Sequence, residues 1–171
     1  MSSTELQASG VALEPGAGEA LWFLGSLLTV KVGREESGGR VCVIEHDCPE
    51  GFAGPLHVHS REDEWFYVLE GEMTFHVGDE IVAAPAGSFV YGPRGLPHTF
   101  SVDSPGGARF LLVAEPADFE GFITALAEPA TAPALPPAAD GPPDLARIAT
   151  VAAEYGIEIL GPPPALRILQ S

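Results

Sequence analysis

Along most of this chain, apolar side chains recur at every second position, in short runs separated by glycine, proline and charged residues. That period marks half-buried strands, whose successive side chains point to opposite faces. Met73, Phe75 and Val77 alternate with Thr74 and His76, so one set faces a core and the other faces away. Residues 21–32 predict a long strand or a strand pair, and 41–45, 65–69, 81–83, 89–91, 98–102 and 110–114 predict further strands. Between them, 33–40 reads as a charged, glycine-rich turn, with tight turns at 78–80 and 104–107.

Past residue 117 the period changes. Phe119, Phe122, Ile123 and Leu126 fall at helical spacing behind Asp118, a residue type that caps helix N-termini. Residues 129–143 are rich in Ala and Pro and predict an extended surface connection. A second helix is expected over 144–155, stopped by Gly156 and packed against the barrel or its mouth, followed by a short apolar tail at 157–160. The expected layout is an all-β barrel at 19–116, preceded by a loose arm at 1–18 and followed by a C-terminal helical extension at 117–171.

Composition narrows the function classes. A length of 171 residues suits one domain, and 20 Gly with 17 Pro suit many short strands and turns. A formal net charge of −16 argues against a nucleic-acid backbone or an anionic membrane as partner. The longest strongly apolar stretch, 20–30, is too short to span a bilayer. The polar start at 1–10 does not read as a secretion signal, so a cytoplasmic protein is expected. In that setting Cys42 and Cys48 are expected as reduced thiols, Cys42 in the core, with no disulfide.

Two motifs carry the candidate chemistry. The first reads Gly51, five residues, His57-Val58-His59, four residues, Glu64, six residues, Gly71. The second reads Gly87, five residues, Pro93-Arg94-Gly95, two residues, His98. On a strand His57 and His59 point the same way, while Glu64 and His98 each open another apolar run. Three strands can thus aim three imidazoles and one carboxylate at one point. That donor set suits one divalent transition metal ion per chain, not calcium or magnesium, which prefer oxygen shells. Iron, manganese, nickel, cobalt, copper and zinc all remain compatible. A lone His-x-His would read as ordinary strand-end histidines; two spaced motifs with glycines and a proline at matching offsets read as a metal site.

Both motifs resemble those of the cupin superfamily, a small double-stranded β-helix or jelly roll. Motif one matches in full at His57, His59, Glu64 and Gly71; motif two matches at Gly87, Pro93, Gly95 and His98. It departs at Val102, where the family pattern often has Asn, which removes one polar side chain and leaves the ligand set untouched. Family spacing favours Glu64 over the neighbouring carboxylates Glu62 and Asp63. Residues 22–126 resemble bacterial single-domain cupins related to quercetin 2,3-dioxygenases. What the resemblance implies is oxidative ring opening of a flavonol by O2 with release of carbon monoxide, with Glu64 both ligand and base. Phe66 and Phe100 share the ligands' parity and are expected to line the substrate pocket, while Trp65 and Tyr67 are expected to pack between sheets or at a subunit contact. His46 and His76 are expected at the surface or behind the ligands.

Two other classes share this site: a metal-dependent polyketide cyclase or isomerase that uses no O2, and a non-catalytic small-molecule-binding cupin. A sensor of that last kind usually carries a DNA-binding domain, and none is visible in this sequence. The partners expected are a small aromatic substrate and O2. A homodimer is also expected, because the long apolar run at 21–32, with Trp22 and Phe23, needs cover along its edge.

Overall fold

In the computed structural model, which describes residues 8–139 and 141–164, the alternating runs pair into two antiparallel sheets. Residues 8–18 form an irregular, mostly exposed lead-in, and 1–7 of the expected arm lie outside the described residues. The run at 21–32 is a strand pair, β1 (Glu19–Phe23) and β2 (Ser26–Val32), turned at Leu24-Gly25, both with positive φ. The expected turn after it contains a short helix, α1 (Arg34–Ser37). Then follow β3 (Cys42–Cys48), β4 (Leu56–His59), β5 (Asp63–Glu70), β6 (Glu72–Val77) and β7 (Glu80–Pro85). The barrel strands end with β8 (Phe89–Gly92), β9 (His98–Val102) and β10 (Ala108–Glu115). Beyond them lie α2 (Phe119–Leu126), β11 (Glu128–Pro129), α3 (Leu145–Glu154) and β12 (Ile157–Gly161).

One sheet runs β11-β1-β2-β3-β10-β5-β8 and the other β12-β4-β9-β6-β7. This is an all-β jelly roll with short helices after the barrel. Alternation places the core as expected: Met73 and Phe75 are buried between the sheets with Ile44, Val68 and Phe110. Cys42 and Cys48 are both buried free thiols, and burial pushes Cys42 up to about 12. Among the described residues no helix is long and apolar enough to cross a membrane.

Three segments differ from expectation. β3 runs on to Cys48, because Cys42, Ile44, His46 and Cys48 keep one parity through a stretch whose charged residues Glu45 and Asp47 face the other way. Asp118 does not cap α2 through its side chain; Arg34 takes that carboxylate in an ion pair instead. Asp144 does cap α3, accepting from Arg147 N at 3.0 Å. The apolar tail is not a tail: β12 pairs antiparallel with β4, setting Ile157 against His59 and Ile159 against His57.

The edge that motivated a homodimer is covered from within the chain. β11 pairs with the outer side of β1, and Trp22 Nε1 donates to Ala134 O at 2.8 Å. Phe23 meets Phe122 of α2 edge-on at 5.7 Å. The large apolar side chains left open include Tyr67, Phe89 and Tyr91, which are 45%, 63% and 44% exposed. Trp65 stacks on Tyr91 at 5.5 Å on that outer face, so Trp65 and Tyr67 do not pack between the sheets.

Two motif glycines give a graded test of the backbone. Gly71 joins β5 to β6 with φ of 83°, and a Cβ there would sit 2.5 Å from Gly107 O and 2.9 Å from Ala108 Cα. Gly87 has φ of 92° but nothing within 4 Å of its Cβ position. Gly71→Ala should therefore lose more than Gly87→Ala, which carries only the conformational strain of about 1–3 kcal/mol. Urea unfolding measures both, and equal losses would refute the close-approach argument.

Candidate metal centre

The two motifs meet where the sheets face each other. β4 supplies His57 and His59, β9 supplies His98 directly across from His57, and β5 of the opposite sheet supplies Glu64. One donor atom from each of the four lies within 4.8 Å of all the others. Glu64 Oε2 is 2.8 Å from His98 Nε2 and 3.3 Å from His59 Nε2. His59, Glu64 and His98 are buried and His57 is half-buried.

The far side of each ring explains its orientation. His57 Nδ1 lies 2.9 Å from Pro55 O and His98 Nδ1 lies 3.0 Å from Leu96 O. A carbonyl only accepts, so each Nδ1 carries a proton; this leaves His57 Nε2 a lone pair toward the cluster, whereas the contact of His98 Nε2 with the Glu64 carboxylate needs a ring proton or a metal ion between them. His59 Nδ1 has the carboxylate of Glu62 at 3.2 Å. This imidazole–acceptor pairing fixes the tautomer that a metal ligand requires. Glu62 is thus not a rival ligand but the partner behind His59. Asp63, the other rival, turns outward to Arg94, accepting from its backbone N at 2.8 Å and its Nε at 3.1 Å. That contact fastens motif one to motif two.

The residues fit a metal. His59 Nε2 is buried and has no well-formed hydrogen bond of its own. Its 3.3 Å approach to Glu64 is an electrostatic contact rather than an aligned bond. An unsatisfied imidazole nitrogen beside a buried carboxylate is costly unless a cation joins them. Ligands about 2.1 Å from one ion are at most about 4.2 Å apart, so the cluster needs only a slight contraction. His57, His59, Glu64 and His98 could therefore hold a divalent transition metal.

Electrostatics are uneven across the cluster. Burial is the largest influence on His59 and opposes its charge, yet the carboxylates of Glu64 and Glu62 outweigh it and hold the ring above its ordinary range. Burial likewise opposes charge on Glu64, but His59 and His98 outweigh it and hold the carboxyl well below the usual range. His57, disfavoured first by burial and then by His98, is pushed down to about 4.

The cluster opens onto a cavity of about 610 Å³, within the range of small-molecule sites. Phe66 and Phe100 line it, as parity required. Phe52 stacks on Phe100 at 5.9 Å. The C-terminal extension supplies another wall: Phe119 lies 5.4 Å from the His59 ring, and Ile148 and Ile159 also face the cavity. His46 is buried in the cavity wall, correcting its expected surface or second-layer place. The signal for it was present in the Cys42-Ile44-His46-Cys48 alternation.

Removing any one of His57, His59 or His98 as Ala should abolish most metal binding, read by metal analysis; full stoichiometry in all three variants would refute the site. Glu62→Ala should keep the ligands but weaken metal binding by about 10–100-fold, the usual cost of losing such a partner. Because metal-free His59 keeps a proton through neutral pH, binding must expel it. Metal affinity should then rise with pH, roughly tenfold per unit for one proton, and a flat pH profile in metal titrations would overturn this.

Comparison with known proteins adds a domain match. Residues 44–114 match the cupin domain. Quercetin 2,3-dioxygenase of Bacillus subtilis (strain 168) is 29% identical over 128 residues, covering 74% of this chain but 38% of that protein. A cupin of the RmlC-like type from Shewanella frigidimarina superposes with a TM-score of 0.55 at 20% identity, over 66% of this chain and 95% of that one. An oxalate decarboxylase from Lactobacillus farciminis, in a formate complex, gives the same TM-score at 22% identity, over 66% of this chain and 35% of that one. All four clustered side chains lie inside the matched segment with a two-sheet jelly roll around them, so the candidate metal centre of this chain sits within its match to the cupin domain.

Proposed function

We propose that this protein is a metal-dependent dioxygenase that opens the central ring of a flavonol or a similar enolisable aromatic compound. The observation that carries this reading is the cluster's outlook: His57, His59 and Glu64 of the four-residue cluster border a large cavity walled by aromatic and aliphatic side chains. A flat polycyclic substrate fits such walls. No Lys or Arg lines the cavity among the described residues, which argues against a small dianion such as oxalate. The likeness to quercetin 2,3-dioxygenase supports the same substrate class.

A bound divalent transition metal would supply a Lewis acid with open coordination positions. The protein's own part is positioning, exclusion of water and proton handling. Phe66, Phe100 and Phe119 exclude water around the cluster. Glu64 is the one carboxylate lining the cavity among the described residues, so it takes the proton of the substrate hydroxyl. Its two imidazole contacts hold it as a weak base, and it gains basicity only by exchanging one of them for the substrate. In the overall reaction both atoms of O2 enter the ring-opened ester acid, and one ring carbon leaves as carbon monoxide. Assembly as a homodimer in the cytoplasm completes the proposal, and light scattering tests the assembly against the single-chain mass of 17.8 kDa.

Oxygen uptake with quercetin, with carbon monoxide measured in parallel, tests the reaction on protein loaded in turn with each candidate metal. Uptake and carbon monoxide in equal amounts are expected. Substrate conversion without oxygen would replace the dioxygenase by a cyclase or isomerase, and binding without conversion would leave a carrier or sensor. Glu64→Gln should retain part of the metal while turnover falls by about 10²–10⁴-fold; undiminished turnover would assign the proton to another group.

A further inference from the structure

The cavity offers very few hydrogen-bonding side chains. Among the described residues that line it, only His57, His59, Glu64 and His46 carry one, and the first three belong to the metal cluster. His46 stands apart on β3. Its ring meets Phe110 at 4.8 Å, Phe52 at 5.9 Å and Phe100 at 6.1 Å. Phe100 meets Phe66 at 6.4 Å, and Phe66 meets His98 at 6.2 Å. Aromatic rings thus link His46 to the cluster.

Its hydrogen bonds fix what His46 can offer. The Ser26 hydroxyl has a single proton, which it donates to Phe23 O at 2.6 Å. Ser26 Oγ also lies 2.8 Å from His46 Nε2, so toward the ring it must accept, and the ring proton sits on Nε2. Nδ1 is left with a lone pair. Among the described residues no group donates to it, and His46 lines the cavity. Burial also keeps a second proton off the ring, holding it down to about 3. His46 is therefore a fixed acceptor that has no donor to give.

We infer that His46 Nδ1 accepts a hydrogen bond from a phenolic hydroxyl on the part of the ligand remote from the metal cluster, and so selects hydroxylated polyphenols over their deoxy or O-methylated counterparts. A carbonyl or ether oxygen at that place would set lone pair against lone pair. The inference rests on the reading of the cavity as a polyphenol site, and it is independent of the oxygen chemistry. His46 is a specificity-determining residue here and takes no part in proton transfer.

Binding under argon separates the two. Quercetin and 3-hydroxyflavone share the ring system and the 3-hydroxyl, but only quercetin carries hydroxyls elsewhere. Each is titrated into metal-loaded wild-type protein and into His46→Phe matched for metal content. Phe keeps the aromatic packing, and Ser26 keeps its bond to Phe23 O. Wild type should prefer quercetin by about tenfold, within the range expected when a buried acceptor is satisfied or left bare. In His46→Phe that preference should vanish, with quercetin losing affinity relative to 3-hydroxyflavone. Equal weakening of both ligands, or a preference that survives, overturns the inference. A second measurement needs no variant: the nitrogen-15 resonance of His46 Nδ1 in wild type should move with quercetin and stay with 3-hydroxyflavone, and identical responses overturn it too. Discrimination without oxygen uptake would leave this inference standing and remove only the dioxygenase. Oxygen uptake without discrimination would do the reverse, and failure of both ligands to bind wild type would remove the polyphenol site and His46's role together.

Discussion

A neutral imidazole has one donor and one acceptor, and inside a dry barrel both need partners. For three such rings to ligate one ion, the surroundings must take three protons on the outer side to free three lone pairs on the inner side. Two of those acceptors are the backbone oxygens of Pro55 and Leu96, each two residues before its histidine and each in a proline-containing loop. The third is the buried carboxylate of Glu62. The loops therefore do more than connect strands, since their carbonyl directions decide which nitrogen of each ring faces Glu64. The Asp63–Arg94 contact ties the β5 start to the loop before β9 and keeps those directions in step.

Much of this was legible in the sequence because strand geometry is periodic. Parity alone put His57 and His59 on one face and sent Phe66 and Phe100 toward the cavity, and both orientations stand in the structure. What was not legible depended on contacts between segments far apart in sequence. Glu62 looks like a competing ligand until the fold shows that the turn after His59 carries it behind the ring. His46 looks like a strand-end surface residue only if β3 is stopped at Glu45; the charges of Glu45 and Asp47 hid an inward alternation that continues to Cys48. The open edge of β1 was a sound inference from local pattern, but β11 and Ala134 reach back to cover it. Asp118 is the right residue type for a cap, but its carboxylate pairs with Arg34 instead.

The cupin match takes in the metal cluster but only part of the cavity wall. The match ends at residue 114, and the metal cluster lies wholly within it. Phe119, Phe122, Ile148 and Ile159, which shape the cavity, come afterwards. These elements are closely fitted: a Cβ on Gly121 would lie 2.4 Å from Tyr155 Cε1, so α2 and the end of α3 meet at a glycine. The chemistry of the centre therefore follows the cupin barrel, whereas the wall that a ligand meets is shared between the barrel and the segments beyond the matched residues.

The pairing of β12 with β4 has a consequence for how the molecule comes into being. On the ribosome the strand bearing His57 and His59 emerges long before the strand that covers its edge; Ser60 and Gly156, bonded to each other at the seam, are 96 residues apart in sequence. At about 5–20 residues per second this interval lasts roughly 5–20 s. Throughout it a barrel strand rich in imidazole stands with an unpaired edge, open to stray metal and to neighbouring chains. The histidines are thus made early and enclosed late, and nascent protein passes through a stage in which the metal ligands exist before the chamber that selects what reaches them.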